Sequence, residues 1–534
     1  MTDEPDRGGE GRSGGDPDDA AFFAALMGED SADSADGPDM ADLVLPLTES
    51  VTDEDDSDAE DVDPALAAAA TADLDDDVSE LIPNSPPLTL DAVEAVLNKR
   101  WPETRIAPTL DRIAALADLL GNPQRAYPVI HVAGTNGKTS VTRMIDSLLT
   151  AMGLTTGRFT SPHLQRVTER IALGGSPISD ERYVETFGDI APYIDMVDAA
   201  SAAEGGVPLS KFEILTAMAF AAFADAPVDV GIVEVGLGGT WDSTNIVEPQ
   251  VAVVTPIGID HIDYLGPDLT SIAGNKAGII KSGCTAIIGP QEPEAMDVLL
   301  RRAIETDVAV ARYGSEFDVS ERVSAVGGQL LTIQGLSGSY PEIFLPLYGE
   351  HQARNAATAL AAVEAFLGAG TDKALDADTV RDGFANAASP GRLERVRTSP
   401  TLFIDAAHNP HGARALAAAL ASDFSFTRLV GVLAVMRDKD VRGVLEALAD
   451  SFDEVVVTVN SSPRSMPVDE LAEIARDVFG EHRVHTADRM DDAIALAVDL
   501  AEDDPENAAG AAVLVTGSVV SAGDGRALAG WEPA

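Results

Sequence analysis

His131-Val-Ala-Gly-Thr-Asn-Gly-Lys-Thr-Ser140 is the stretch whose residue types and spacing can do chemistry. It follows Tyr127-Pro-Val-Ile130, a short β-branched run that reads as a buried strand, and precedes Val141 to Leu149, where apolar residues recur at helical spacing. Strand, glycine-containing turn and helix place backbone N–H groups and a helix N-terminus around a phosphate. In that setting Lys138 reaches the outer phosphates and the Thr139 hydroxyl serves Mg²⁺. The full phosphate-loop pattern asks for glycine where this chain has Val132, leaving Gly134, Gly137, Lys138 and Thr139 to carry the signal.

The elements that must position this loop lie in the C-terminal five-sixths of the chain. Of 534 residues, the first 86 hold 27 acidic side chains against Arg7 and Arg12 alone, so they carry −25 of the net −53. They are rich in Ser, Gly, Pro and Ala and are expected to stay disordered, because they lack the apolar content that offsets the entropy of ordering. Three apolar islands interrupt them, at Ala21–Met27, Leu43–Leu47 and Ala65–Ala70. Each reads as incidental composition rather than a partner-binding helix. None has the basic flank of a signal peptide, and no run approaches the ~20 apolar residues that span a bilayer.

The single cysteine, Cys284, excludes an internal disulfide framework and fits a reducing cytoplasm. No Cys/His cluster has zinc spacing. The acidic balance argues against nucleic-acid binding, which relies on Lys and Arg. An anionic substrate would need a local positive field made by a few placed bases and Mg²⁺.

Folded structure is expected from about residue 87. Leu88 to Leu97 opens a helical pattern, and a second helix covers about Leu110 to Leu120, stopping at Gly121-Asn122-Pro123. After the phosphate loop and its helix, Gly157 to Leu164 reads as a short strand running into a loop. Phe212 to Phe223 is apolar nearly all round and reads as a buried helix. Val228 to Val235 is a buried strand with Glu234 near its end, and Val251 to Pro256 is the next strand. Strands alternating with helices imply a parallel sheet with ligands at the C-terminal strand ends. The phosphate loop, Ser161, Glu234 and His261 all fall at such ends. Ser315 to Leu347 alternates in polarity and predicts antiparallel strands, and Gln352 to Leu367 an alanine-rich helix. From about residue 389 a second, smaller α/β domain begins, with strands at Leu402–Asp405, Leu429–Ala434, Val455–Val459 and Val513–Thr516. The expected division is a tail over 1–86, a P-loop ligase domain over 87–388 and a doubly wound C-terminal α/β domain over 389–534.

These residues resemble the folylpolyglutamate synthase and dihydrofolate synthase family, within the Mur-ligase-like ATP-dependent amide ligases. The resemblance rests on Gly134-Thr-Asn-Gly-Lys138, Thr160-Ser-Pro-His-Leu164 with Glu169-Arg170, Glu234-Val-Gly-Leu-Gly-Gly239 with Asp242 and Thr244-Asn245, and Gly258-Ile-Asp-His261. It continues through Lys276-Ala-Gly-Ile-Ile-Lys281, Gly349-Glu-His-Gln352 with Asn355-Ala356, Pro390-Gly-Arg392, Asp405-Ala-Ala-His-Asn-Pro410, Asp438-Lys-Asp440 and Thr516-Gly-Ser518. These motifs occur in family order across roughly residues 88–520.

The resemblance implies roles. ATP phosphates fall to Lys138 and the backbone of Thr135, Asn136, Gly137 and Thr139. Thr139 serves one Mg²⁺, and Ser161, Glu234 and His261 a second. Lys276 matches the lysine that is carbamylated in the family. Asn355, Arg392 and Asp405, with His408 nearby, match ATP-contacting positions, so ATP bridges the two domains. The pteroate end lies against Pro108, Thr109, Leu110 and Asp111 and the loop Trp241, Asp242 and Ser243. Taken singly, Glu234 is an ordinary strand-end carboxylate, His261 a loop histidine, Lys276 a helix-surface lysine and Arg392 a linker charge. The chain departs from the family at Thr139 (often glycine), Asn275 (usually glutamate), Thr240 (often arginine) and Ala406 (commonly glycine).

The implied reaction is ATP-dependent addition of L-glutamate to 7,8-dihydropteroate, to reduced folates, or to both, through an acyl phosphate. The expected enzyme is a cytoplasmic monomer with small-molecule substrates only, and neither nucleic acid nor membrane is a partner. A Mur ligase acting on a UDP-linked peptidoglycan precursor would need a nucleotide-sugar domain before the phosphate loop, where only about 45 foldable residues stand. A P-loop kinase or ATPase leaves Arg392, Asp405 and His408 unexplained. A non-catalytic binding protein leaves Lys138, Ser161, Glu234 and His261 without a role.

Overall fold

Four- and five-residue runs rich in valine and isoleucine, buried along their whole length, build the centre of the larger sheet of the computed structural model, which describes residues 88–100, 108–370, 373–503 and 510–533. Its strands are β1 (Val129–Ala133), β2 (Thr156–Phe159), β3 (Ile171–Leu173), β4 (Ser176–Pro177), β5 (Val230–Glu234), β6 (Val251–Val254), β7 (Thr285–Ile288) and β8 (Ala309–Arg312). They are ordered β4-β3-β2-β5-β1-β6-β7-β8. Every pairing from β2 to β8 is parallel, and only the β2–β3 and β3–β4 pairs are antiparallel. A parallel sheet needs cover on both faces. Ile130 and Val132 of β1 meet the helices Lys138–Ala151 and Glu350–Phe366 on one side, while Val129 joins the cluster of helix Lys211–Asp225 on the other. The chain leaves β1 toward β2 on one flank and leaves β5 for β6 on the other, so the loop after β1 opens where strand order switches.

The expected antiparallel segment is a three-stranded sheet of β9 (Asp318–Ala325), β10 (Gly328–Gln334) and β11 (Ser339–Leu345). The C-terminal domain is built on β12 (Glu394–Thr398), β13 (Thr401–Ile404), β14 (Arg428–Leu433), β15 (Glu454–Val457), β16 (Val484–Thr486) and β17 (Ala511–Thr516). Their order is β12-β13-β17-β14-β15-β16, parallel except for β12. Both anticipated helices before the phosphate loop are present, at Leu90–Asn98 and Asp111–Leu119.

The first strand differs from the expected Tyr127–Ile130. It starts at Val129 and includes His131, because the imidazole is fully buried and its Nε2 lies 2.9 Å from Thr244 Oγ1, which gives one ring nitrogen a partner inside the sheet. The loop therefore begins at Gly134. The acidic stretch 1–86 and its apolar islands lie outside the described residues. No described helix is long and apolar enough to cross a membrane.

One buried ion pair ties the phosphate-loop helix to its neighbouring strand. Asp146 accepts from Arg158 Nη1 at 2.5 Å and from Thr156 Oγ1 at 2.5 Å, with both ions almost wholly buried. Asp146→Ala leaves the guanidinium buried and uncompensated, so we expect a loss of about 3–5 kcal/mol. Urea unfolding of the variant against the parent measures it.

Candidate active site

The turn after β1 follows from its glycines. Gly134 has φ +149° and Gly137 φ +87°, and a Cβ on Gly134 would sit 1.9 Å from Thr255 Oγ1. A Cβ on Gly137 would come within 2.8 Å of Asn355 Oδ1, so this glycine lets the Asn355 amide approach the loop. Helix Lys138–Ala151 starts here with its N-terminus facing the cleft. Lys138 Nζ donates to the carbonyls of Gly134 and Thr135, each at 3.2 Å. Of the loop amides expected to face phosphate, those of Thr135 and Asn136 instead donate to Pro256 O at 3.0 and 3.2 Å. The amides free to point at an anion are those of the glycine and the first helical turn.

Glu234 ends β5 directly opposite. It is 1 % exposed, accepts from Thr139 Oγ1 at 2.9 Å and from the Ser161 N–H, and its Oε2 has no hydrogen-bond partner among the described residues. Burial raises its carboxyl to about 6, against the lowering pull of Lys138, Thr139 and Arg392. Lys276 is buried behind the loop with Nζ on Gly134 O at 2.8 Å. Burial first, then Lys138, brings its ammonium down to about 7. Burial also lowers Lys138.

Phosphate loop, Glu234, Ser161, His261, Lys276, Asn355, Arg392, Asp405 and His408 line one cleft of about 1990 Å³ between the two domains. Arg392 lies close enough to Glu234 to depress its carboxyl. Asp405 serves its own loops, taking Leu393 N and Ala407 N at 2.8 Å each. Asp242 does likewise, with Leu237 N at 2.8 Å, Thr244 N at 3.0 Å and Thr244 Oγ1 at 2.5 Å. Thr109, Trp241 and Ser243 reach the cleft with Asp242. Their neighbours do not: Pro108 and Asp111 are exposed, and Leu110 packs on the core of the larger domain.

The residue that sequence reasoning left without a role is Asp260. It accepts from Lys439 Nζ at 2.7 Å and Asn409 Nδ2 at 3.0 Å and lies 3.6 Å from His408 Nε2, so three C-terminal side chains converge on one N-terminal carboxylate. Although burial opposes it, this surround holds the carboxyl well below the usual range. Asn136 and Asn409 exchange amide bonds at 3.3 and 3.2 Å beside it. The available signal was the pair of motifs Gly258–His261 and Asp438–Asp440, whose side chains meet only in three dimensions. His261 stands next to this junction with φ +53° and Nε2 3.4 Å from Lys439 Nζ. Partial desolvation in the cleft, joined by the charges of Lys439 and Lys138, lowers its imidazole to about 4, although the side chain keeps 41 % of its exposure.

The site's cradle suits a nucleoside triphosphate and its metal. Glu234, with one unpartnered oxygen and the Thr139 hydroxyl against the other, offers oxygen donors of the kind Mg²⁺ takes, and Ser161 and His261 line the same cleft. Residues 210–363 match the Mur ligase middle domain and residues 391–519 the Mur ligase glutamate ligase domain. A dihydrofolate synthase/folylpolyglutamate synthase of Mycobacterium tuberculosis is 57 % identical over 457 residues, covering 83 % of this chain and 94 % of that protein. The Escherichia coli protein of the same name is 36 % identical over 68 % of this chain and 80 % of its own length. Among solved structures, the M. tuberculosis folylpolyglutamate synthase complexed with ADP superposes with a TM-score of 0.80 at 56 % identity, covering 83 % of this chain and 99 % of that one. With two domains meeting over one phosphate-binding cleft and relatives of this similarity along almost their whole length, the chain belongs to the dihydrofolate synthase/folylpolyglutamate synthase family of Mur ligases.

Proposed function

We propose that this ATP-dependent ligase joins L-glutamate both to 7,8-dihydropteroate and to reduced folates, through an acyl phosphate. The observation that carries the reading is the shared cleft: the phosphate loop, Thr139 and Glu234 come from one domain, and Arg392, His408 and Lys439 from the other. The relatives named for both activities support bifunctionality. We place the domain boundary at 388/389, just ahead of the turn that carries Arg392.

A carboxylate resists attack by an amine, so the acceptor acid first takes the γ-phosphoryl group of ATP. Lys138 and Arg392 supply positive charge where negative charge accumulates during that transfer. Thr139 would hold one Mg²⁺ and Ser161, Glu234 and His261 a second, and when bound these ions would neutralise phosphate charge. Asn355 and Asp405 set the nucleotide's surroundings, Asn355 by its contact with Gly137 and Asp405 by fixing the turn after Arg392. Thr109, Trp241 and Ser243 offer the wall for the pteroate end, with Asp111 holding Thr109 and Asp242 fixing the loop of Trp241 and Ser243. Attack by the glutamate amine then releases phosphate. The Asp260 junction keeps the domains together and so restricts water, which would hydrolyse the acyl phosphate.

Lys276 fits carbamylation. A buried lysine that titrates near 7 presents a neutral amine, the form that adds CO₂ and becomes a carboxylate. Its folded pKa lies below the 10.5 of the free side chain, so the unfolded chain binds the extra proton between about 7 and 10.5. Unmodified Lys276 therefore makes folding more favourable as pH rises through that window, and the reactive amine becomes available in the same direction.

Phosphate release by the full chain with MgATP and L-glutamate is expected with either 7,8-dihydropteroate or a reduced folate monoglutamate, with each product heavier by one glutamyl unit. Release with only one acceptor removes bifunctionality, and release with neither overturns the ligase reading. In CO₂-depleted buffer above pH 7, activity should fall and return on adding bicarbonate. Activity indifferent to bicarbonate would show that Lys276 acts as the free amine.

A further inference from the structure

The segment 161–166 and the turn 389–392 come from different domains, and a single buried arginine grips both. On its own side the segment is tied down by Glu169. This buried carboxylate accepts Leu164 N at 2.8 Å and the amides of Gln165 and Arg166 at 3.0 Å each. On the far side Leu164 lies against two glycines of the C-terminal domain. A Cβ on Gly523 would fall 2.0 Å from Leu164 O, and one on Gly391 would fall 3.0 Å from Leu164 Cδ1. Only glycine permits so close a backbone approach.

Arg526, on helix Val519–Leu528, joins the two. Its Nε lies 3.2 Å from both oxygens of Glu394, and Glu394 Oε2 in turn accepts Gly391 N at 2.8 Å. Its Nη1 donates to Gln165 Oε1 and to the carbonyl of Glu532. The guanidinium sits 5.6 Å from the Trp531 ring centroid, and Gln165 Nε2 returns a bond to Trp531 O at 2.9 Å. The fork thus spans from the amide before Arg392 to the side chain four residues after Ser161. Lysine could not reproduce it, because a point charge cannot serve Glu394, Gln165 and a carbonyl in one plane.

We propose that Arg526 is a positioning residue for phosphoryl transfer: it clamps the Ser161 segment onto the Gly391–Arg392 turn, so that ligands from two domains are presented to one nucleotide in a fixed register. This rests on the reading above that Ser161 and Arg392 serve the metal and the nucleotide. Arg526 itself touches neither. A displacement of about 1 Å in such groups can cost on the order of 10²-fold in rate, so a remote clamp is visible in kinetics.

The test uses the full chain carrying Gln165→Ala, Arg526→Lys or Ser161→Ala, with kcat, KM for ATP, half-saturating Mg²⁺ and melting temperature read for each. Gln165→Ala frees one end of the clamp while Arg526 keeps Glu394, so it preserves folding even if Arg526→Lys does not. Gln165→Ala is expected to lower kcat by about tenfold or more and to raise half-saturating Mg²⁺ in the same sense as Ser161→Ala, with melting temperature nearly unchanged. A purely structural role predicts a lower melting temperature with kcat and Mg²⁺ response intact, and that result overturns the proposal. The parallel variant separates the two readings. If Ser161→Ala raises the Mg²⁺ requirement and Gln165→Ala does not, the clamp fails alone. If Ser161→Ala leaves it unchanged, the metal-site reading fails and the clamp with it.

Discussion

A carboxylate buried against the phosphate loop constrains everything around it. Glu234 ends a strand inside the sheet, where an ion without partners costs several kcal/mol. Its surroundings answer with a hydroxyl from Thr139, an amide from Ser161 and positive charge from Lys138 and Arg392. The compensation is incomplete, as the carboxyl's rise to about 6 and its unpartnered Oε2 both indicate. The same burial lowers Lys138 and brings Lys276 to about 7, so three ionisable groups crowd the phosphate loop with their charges poorly solvated. Such a pocket gains most from a polyanion and a divalent cation that complete its charge balance. Strand ends in a switch-point crevice supply the geometry, and the positive-φ glycines allow the chain to turn closely enough.

The second constraint is long-range. A chain with net charge −53 must bind anionic substrates, so the cleft has to make its own positive field from few residues. Bases stand on opposite walls of the cleft, Lys138 on one side and Arg392 and Lys439 on the other. Like charges facing each other would hold the walls apart. Asp260 reverses this locally by taking Lys439, Asn409 and the neighbourhood of His408 onto one carboxylate. The junction sets the approach of the C-terminal domain without covering the phosphate loop. His261 sits beside it as a neutral ring, next to the point where both domains meet.

Sequence alone was most informative where chemistry is contiguous. Gly134 to Thr139 is one run, and Glu234 and Ser161 sit at ends of strands whose β-branched composition is plain. The parallel sheets, the β9–β11 unit and the alanine-rich helix Glu350–Phe366 were legible from periodicity. Edge strands such as β3, β4 and β12 were not, since short antiparallel pieces carry little apolar pattern. His131 stands at the edge of the loop in the sequence because a polar residue looks like a strand stop, whereas Thr244 gives its Nε2 a partner inside the sheet. Asp242 and Asp405 were assigned to ligands, but their carboxylates are engaged by nearby backbone amides, a use that spacing does not distinguish from binding. Asp260 escaped a role because its partners stand 149 and 179 residues away, where no local pattern points to them.

The most direct test of this account is the structure of the full chain crystallised with Mg²⁺ and a non-hydrolysable ATP analogue. Mg²⁺ at about 2.1 Å from Glu234 and hydroxyl oxygens, with Arg392 on the phosphates from across the cleft, is the predicted result. A metal held only by phosphate and water, with the Thr139–Glu234 hydrogen bond intact and Arg392 turned away, would contradict it.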